Sequence, residues 1–318
     1  MSTVATSAEN FAATVALFTE ELGFALELIT PADDPSMAIV VRGEHRVTIE
    51  RKPEPGPVSE RRLVIPPLVS ELVVNRAEDD AAWVTGRAGM RYRDLIPSRL
   101  GGRFIASHIE VCDGGPVPDL VHHHAVRFQL IFCQRGWVDV VYEDQGAEFR
   151  MEAGDCVIQP PHIRHKVLAS SAGARVVEIG CPAEHDTLFD HEMALPNDRV
   201  DDARQWEGQR FVRHVGAHGE WTASEYDGFE EQVTAIADAT DGLADVRILR
   251  RSGPGSLTAT AAVDGEFDFL FVLQGTAAID LPDEPLDAVE GGAIALAPGT
   301  TWSIDAADDD FRLLRVRL

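Results

Sequence analysis

Apolar and polar residues alternate in short runs along much of this 318-residue chain, the period expected of half-buried strands. The run Arg103-Phe-Ile-Ala-Ser-His-Ile-Glu-Val111 shows the alternation most clearly. Others follow at Trp137–Tyr142, Glu148–Met151 and Ala174–Gly180, with the acidic turn Glu143-Asp-Gln-Gly146 between the first two. Short strands at this spacing predict a β-sandwich or small barrel over residues 90–190. Residues 243–318 predict a second such body. There Asp268–Gly275 echoes Gln129–Gly136, and Gly292–Pro298 echoes Gly154–Pro160.

Residues 1–53 follow another rhythm. A short strand, Val4-Ala-Thr6, leads into a helix from about Glu9 to Leu22, with Phe11, Val15, Phe18 and Leu22 on one face. Gly23 ends it as a residue free to take a left-handed cap. Phe24–Ile29, a turn at Pro31–Pro35, and strands Ala38–Val41 and Arg46–Glu50 complete a βαβββ module. Residues 54–89 are a linker and connector, proline-rich up to residue 68, with a short helix expected near Asp79–Thr85. Residues 191–242 read as a connector between the two β bodies. The polar stretch Glu184–Glu192 reads as an exposed connection, with His185 and His191 as solvated loop residues in preference to caps on a pocket mouth.

A composition of 45% hydrophobic and 25% charged residues is that of an ordinary soluble globular protein. The formal charge of −25 argues against nucleic acid and anionic membrane surfaces as partners, since both need a cationic face. No apolar run approaches membrane-spanning length and no basic segment opens the chain, so a cytoplasmic location is expected. Cys112, Cys133, Cys156 and Cys181 include no Cys-x-x-Cys pair and are expected as small, buried, reduced residues.

The candidate chemistry lies between Gly115 and Ala169. His122 and His124 are two apart, so on a strand both imidazoles face one side while His123 points away. Gln129 is an odd number of residues further on, and a bend or bulge must intervene if it is to face the same interior. His165 opens another β-prone run after Pro160-Pro161. Imidazoles converging from separate strands make a site for a first-row divalent ion. His214 and His218 are four apart, but Gly216 and Gly219 argue against the helix that would bring them together.

This stretch resembles the cupin superfamily, whose two motifs read G-x5-6-H-x-H-x3-4-E-x6-G and G-x5-P-x-G-x2-H-x3-N. His122, His124, Gly136, Gly154, Pro160 and His165 fall on that pattern. Gln129 stands where the glutamate ligand is usual, His162 where the second motif has glycine, and Ala169 where it has asparagine. The resemblance implies a mainly β bicupin, that is, two double-stranded β-barrels or jelly rolls, with a metal on His122, His124 and His165 and with Gln129 as a weak ligand or neighbour. In residues 243–318 Asp268 alone could serve as a ligand at the corresponding positions, so this half is expected to be metal-free and structural. The segment Leu22-Gly23-Phe24 is similar to one module of the vicinal-oxygen-chelate (glyoxalase-like) superfamily. Glu50 matches its glutamate position, the histidine of its first strand is missing, and a lone half-module points to an interaction or dimerisation element.

Neutral imidazoles and an amide leave a divalent ion its full charge, which favours an anionic ligand such as an enolate, a carboxylate or a deprotonated hydroxyl. Arg103, Arg164 and His162 are the nearest candidates for anchoring an acidic substrate, with Gln129 as a further catalytic candidate. The resemblance implies a non-haem dioxygenase using Fe(II) and O2, with Zn, Ni, Mn or Cu as alternative metals and a homodimer as the assembly. A Lewis-acid lyase, isomerase or hydrolase on the same ion is the alternative chemistry, and a binding protein without turnover is a third class.

Overall fold

The computed structural model describes residues 2–7, 10–51, 63–77, 83–85, 90–253, 259–283 and 285–318. In the amino-terminal module, β1 (Ser2–Ala5), α1 (Phe11–Ala16), β2 (Ala25–Thr30), β3 (Met37–Arg42) and β4 (His45–Glu50) follow the expected order. The helix widens into a π turn over Leu17–Glu21. Phe11, Val15 and Phe18 pack with Ile29, Val40 and Ile49. Leu22, expected on that apolar face, is exposed because the π turn rotates the last residues away from the sheet.

The segment expected as linker and connector contributes strands to both barrels. Here β5 (Val73–Asn75) pairs with Ala293–Leu296 of the second body, and β6 (Trp83–Thr85) pairs with β7 (Arg91–Asp94) of the first. The helix expected at Asp79–Thr85 is therefore a strand over Trp83–Thr85, and its earlier residues lie outside the described ones. Residues 191–242 likewise supply Val212–His214 to the first body and Phe229–Val233 to the second. His214 lies in the former strand and bonds Gln232.

The first barrel is built from β8 (Ile105–Val111), β9 (Gly115–Pro116), β10 (His122–His124), β11 (Phe128–Arg135), β12 (Trp137–Tyr142), β13 (Phe149–Glu152), β14 (Cys156–Ile158), β15 (His165–Ser170), β16 (Ala174–Cys181) and β17 (Thr187–Phe189). Its strands form two facing sheets. One runs Val212–His214, β14, β11, β16, β8, β7, β6. The other runs β1, β4, β3, β2, β17, β10, β15, β12, β13, with β9 on β15, so the amino-terminal module and the barrel share one continuous sheet. The join is β17, which bonds β10 on one side and β2 on the other. The stretch read as an exposed connection is thus an internal strand, with Thr187 fully buried.

Alternation decides what each strand offers. Phe104 just before β8, with one face of β8, β11 and β16 (Ala106, Phe128, Leu130, Phe132, Val177 and Ile179), packs against Phe267, Phe269, Phe271, Leu314 and Val316 of the second body. Phe104 stacks on Phe267 with ring centroids 4.2 Å apart. The opposite faces of the same strands look into the first barrel. The hairpin between β11 and β12 turns at Gly136, which has φ +72° and lies against Ser171 and Ala174, leaving no room for a Cβ.

The second body has Trp302, Leu270, Val272, Ile279 and Ile304 in its interior. Asp268, the remaining ligand-type residue there, is fully buried in a two-point ion pair with Arg315 at 3.0 and 2.6 Å, and Arg315 also donates to Tyr226. Cys133, Cys156 and Cys181 are buried, whereas Cys112 is exposed; all are free thiols.

Candidate metal centre

His122 and His165 face each other across the β10–β15 pair, and His124 follows on the same face of β10. Their ring centroids are 4.3, 5.1 and 5.2 Å apart, and one nitrogen from each lies within 4.8 Å of the others. Among the described residues this is the one cluster with that geometry. All three rings are buried.

Each ring is fixed through Nδ1. His122 donates to Leu120 O at 2.7 Å and His165 to Ile163 O at 3.0 Å, while His124 Nδ1 is 3.1 Å from the Thr187 hydroxyl. A carbonyl can only accept, so Nδ1 carries the proton in His122 and His165 and Nε2 carries the lone pair. Buried Asp119 stands 3.5 Å from His122 Nδ1 and ties this corner to β15 by accepting from Val167 N. Such outer contacts set tautomer and ring direction in histidine metal sites.

Residues 125–127 cross from one sheet to the other, which supplies the bend needed to bring Gln129, at the start of β11, onto the same interior. Its amide nitrogen donates to Glu178 Oε1 at 2.5 Å. Since a carboxylate accepts and an amide oxygen cannot donate, this contact turns Gln129 Oε1 the other way, and that buried atom has no partner among the described residues. An orphaned amide oxygen in the same cavity as the lone-pair Nε2 atoms of His122 and His165 and the His124 imidazole suits a divalent cation. The donor set fits the ion that the fold resemblance implied.

The cluster forms one wall of a cavity of about 120 Å³. Met90, Tyr92, Ile105, Ile109, Val111, Ile131, Val138, Val140, Met151, Val167 and Val176 make most of the lining. Polar groups are few. Gln159 donates to the Tyr142 hydroxyl at 2.9 Å, and complete burial raises the Tyr142 pKa, so the phenol keeps its proton. His185, expected in solvent, lines the cavity with its ring centroid 5.4 Å from that of His124, because β17 carries the chain past the site instead of away from it. Its Nδ1 is 3.0 Å from Pro182 O. Ala32 and Asp33, on the β2–β3 loop of the amino-terminal module, complete the rim, with Asp33 held by Arg99 at 2.5 Å. The module expected as an interaction or dimerisation element therefore docks on its own chain and walls the site.

Glu178 corrects the expected charge balance, since a carboxylate does enter the cavity from the middle of β16. Sequence reasoning missed it because the family motifs end before that strand. The alternation Val176, Glu178, Gly180 was a signal that could have found it.

The expected substrate anchors do not line the cavity. Arg103 binds Glu266 of the second body at 2.9 Å together with Arg127, tying the two barrels. Burial pushes the Glu266 pKa up, but hydrogen bonds from Arg127 and Arg103 outweigh it and hold the pKa below the usual carboxylate value. Arg164 pairs with Asp190 at 3.2 Å. His162 sits outside, with Nδ1 3.2 Å from His123 Nδ1 and Nε2 3.4 Å from Glu207. Its φ of +63° explains the glycine usual at that motif position. His123 points away from the triad, as expected, and burial, with Arg164 and His162 adding to it, pushes its pKa down to about 4.

No protein-family model matches the chain, and no curated protein matches it by sequence. Solved structures do. A Pseudomonas aeruginosa protein described as glyoxylate-induced aligns with TM-score 0.57 at 15% identity, over 82% of this chain and 92% of that one. Salicylate 1,2-dioxygenase from Pseudaminobacter salicylatoxidans aligns with TM-score 0.57 at 15% identity, over 80% and 86%. The fold is that of a bicupin. A third bicupin neighbour, oxalate decarboxylase from Bacillus subtilis, aligns with TM-score 0.52 at 11% identity, over 81% of this chain and 77% of that one. At such identities the likeness speaks for the architecture alone. Among the described residues, no helix of this bicupin is long and apolar enough to cross a membrane.

Proposed function

We propose that this bicupin is a metal-dependent enzyme, a non-haem dioxygenase of a small anionic or enolic organic substrate, with its ion on His122, His124 and His165 and Gln129 beside it. The observation that carries the reading is the preset geometry of the triad. Three buried imidazoles from two strands are locked at Nδ1, with nitrogens within 4.8 Å of one another in the wall of an otherwise apolar cavity. A bound divalent ion supplies coordination positions for an oxygen-bearing substrate and, when it is Fe(II), for O2. Tyr142 offers a hydroxyl proton to a substrate oxygen, His185 lines the cavity next to His124, and the apolar lining excludes water.

Two of the neighbours, by their names a salicylate dioxygenase and an oxalate decarboxylase, support an enzyme acting on small organic acids. The second of these, together with Glu178, favours a second reading, Lewis-acid lyase or isomerase chemistry. A carboxylate inside the cavity can hold or pass a proton without O2. The homodimer expected from the resemblance stays part of the proposal and is checked by light scattering.

Oxygen uptake across enolic and phenolic acids tests the leading reading. Protein reconstituted with Fe(II) is expected to consume O2 with at least one acid, and zinc-loaded protein to consume none. Turnover by the zinc form without O2 uptake moves the assignment to the second reading. A ligand that protects against heating yet is recovered unchanged makes the protein a binder.

A further inference from the structure

Resting on the reading of the first barrel as a metal centre, we propose that its cavity takes a neutral or singly charged oxygen chelator with an apolar body, an enolised 1,3-diketone being the simplest case, and disfavours dicarboxylates, with Glu178 as the residue that sets this preference.

Charge is the first ground. The three imidazoles and Gln129 are neutral donors. Of the two carboxylates that line the cavity, Asp33 at the rim is paired with Arg99, which leaves Glu178, holding the Gln129 amide at 2.5 Å, to bring a formal charge into the lining, while Asp119 lies behind His122 and outside it. One negative charge against a divalent ion leaves room for one more. A monoanion brings the site to neutrality, whereas a dianion leaves an excess negative charge in a cavity of low polarity, where an unpaired charge is costly. Among the described residues no arginine or lysine lines the cavity to offset it. The nearby guanidinium groups are committed to carboxylates of their own: Arg99 to Asp33 and Asp94, Arg103 and Arg127 to Glu266, and Arg164 to Asp190.

Shape and polarity are the second ground. A space of about 120 Å³ is somewhat smaller than a cavity of about 150 Å³ that holds one benzene molecule, so the guest is no larger than about one ring. Ile105, Ile109, Ile131 and Val176 on the facing sheet, with Val138 and Val140 on the histidines' own sheet, pack methyl or ring carbons and offer nothing to a second carboxylate.

The test uses zinc-loaded full-length protein with zinc content measured on the same sample, so that no redox turnover intervenes. Calorimetric titration at neutral pH compares acetylacetone with malonate, and their affinity ratio is set against the ratio for zinc ion in water under the same conditions. The protein is expected to shift that ratio toward acetylacetone by at least ten-fold. Glu178→Gln is expected to return it toward malonate by a similar factor with zinc retained. A wild-type ratio equal to that of the aqueous ion overturns the inference whether or not the variant folds, and so does an unchanged ratio in a zinc-retaining variant. Protein that retains no zinc overturns the metal reading as well, whereas zinc retained with a malonate preference overturns this inference alone.

Discussion

His122 and His165 sit directly opposite each other in one antiparallel strand pair, with ring centroids 4.3 Å apart, although they come from different motifs of the chain. Register alone brings them together, so the pair exists before any ion arrives. Alanine at His122, His124 or His165 is expected to weaken divalent-metal binding by at least about 100-fold, since even outer contacts to such ligands are worth about 10–100-fold. Competition titration with a chromophoric chelator measures it, and circular dichroism should show the fold retained.

Thr187 is the least obvious part of the centre, because it reaches His124 from β17, the strand that also carries the amino-terminal module. Thr187→Val keeps shape and burial but removes the hydroxyl. Metal affinity is expected to fall by about 10–100-fold with all three imidazoles present. An unchanged affinity in the same titration would mean that packing alone orients His124.

Gln129→Glu tests the amide between triad and carboxylate. It replaces the donor to Glu178 by a second carboxylate at about the same place, turning an attraction into a like-charge contact. The metal-free variant is expected to lose about 1–3 kcal/mol of stability, the cost of breaking a buried polar pair. Added zinc should recover more of the melting temperature than it gains in the unsubstituted protein. Differential scanning calorimetry with and without metal reads both effects.

At His162 the backbone is left-handed, which costs a residue with a Cβ about 1–2 kcal/mol. Glycine removes that strain but adds freedom to the unfolded chain and gives up the contacts with His123 and Glu207. His162→Gly is expected to be neutral or mildly stabilising and to leave metal binding unchanged. A loss above about 2 kcal/mol in denaturant unfolding would mean that the outer contacts outweigh the strain.

Acid should destabilise the fold partly through His108, which lies away from the metal centre between the barrels. Burial, with Arg93 adding to it, pushes its pKa down to about 3 from 6.5. The unfolded chain therefore binds this proton below about pH 6.5 while the folded one resists until about pH 3, so stability rises with pH across that window. The contribution has a limiting slope of about 1.4 kcal/mol per pH unit. His108→Gln is expected to flatten the pH profile of thermal unfolding between those limits. An equal slope would assign the acid sensitivity elsewhere.

The barrels, their order and the triad were legible because each rests on local signals: alternation, turn glycines, and histidines spaced for one strand face. What could not be read depended on register between distant segments. Glu184–Glu192 is polar by composition, yet Thr187 is buried because β10 and β2 bond it from both sides. Arg103 carries a charge suited to an acid, and only the docking of the second barrel shows Glu266 as its partner. Trp83 was placed in a helix because its run is too short for an alternation to register, and pairing with Arg93 on β7 made it a strand. The loop that carries Ala32 and Asp33 was legible as a turn at Pro31–Pro35, but nothing local in the sequence placed it at the rim of the cavity.

Because β2 hydrogen-bonds β17 in the same sheet that holds His122 and His165, no clean cut exists where the proline-rich segment would suggest one. Removing the first fifty or so residues would strip a neighbour from the strand that steadies His124 and leave its edge bare. Any autonomous version of this cavity thus includes the amino-terminal portion, which is inherited with the centre it encloses instead of being an optional appendage.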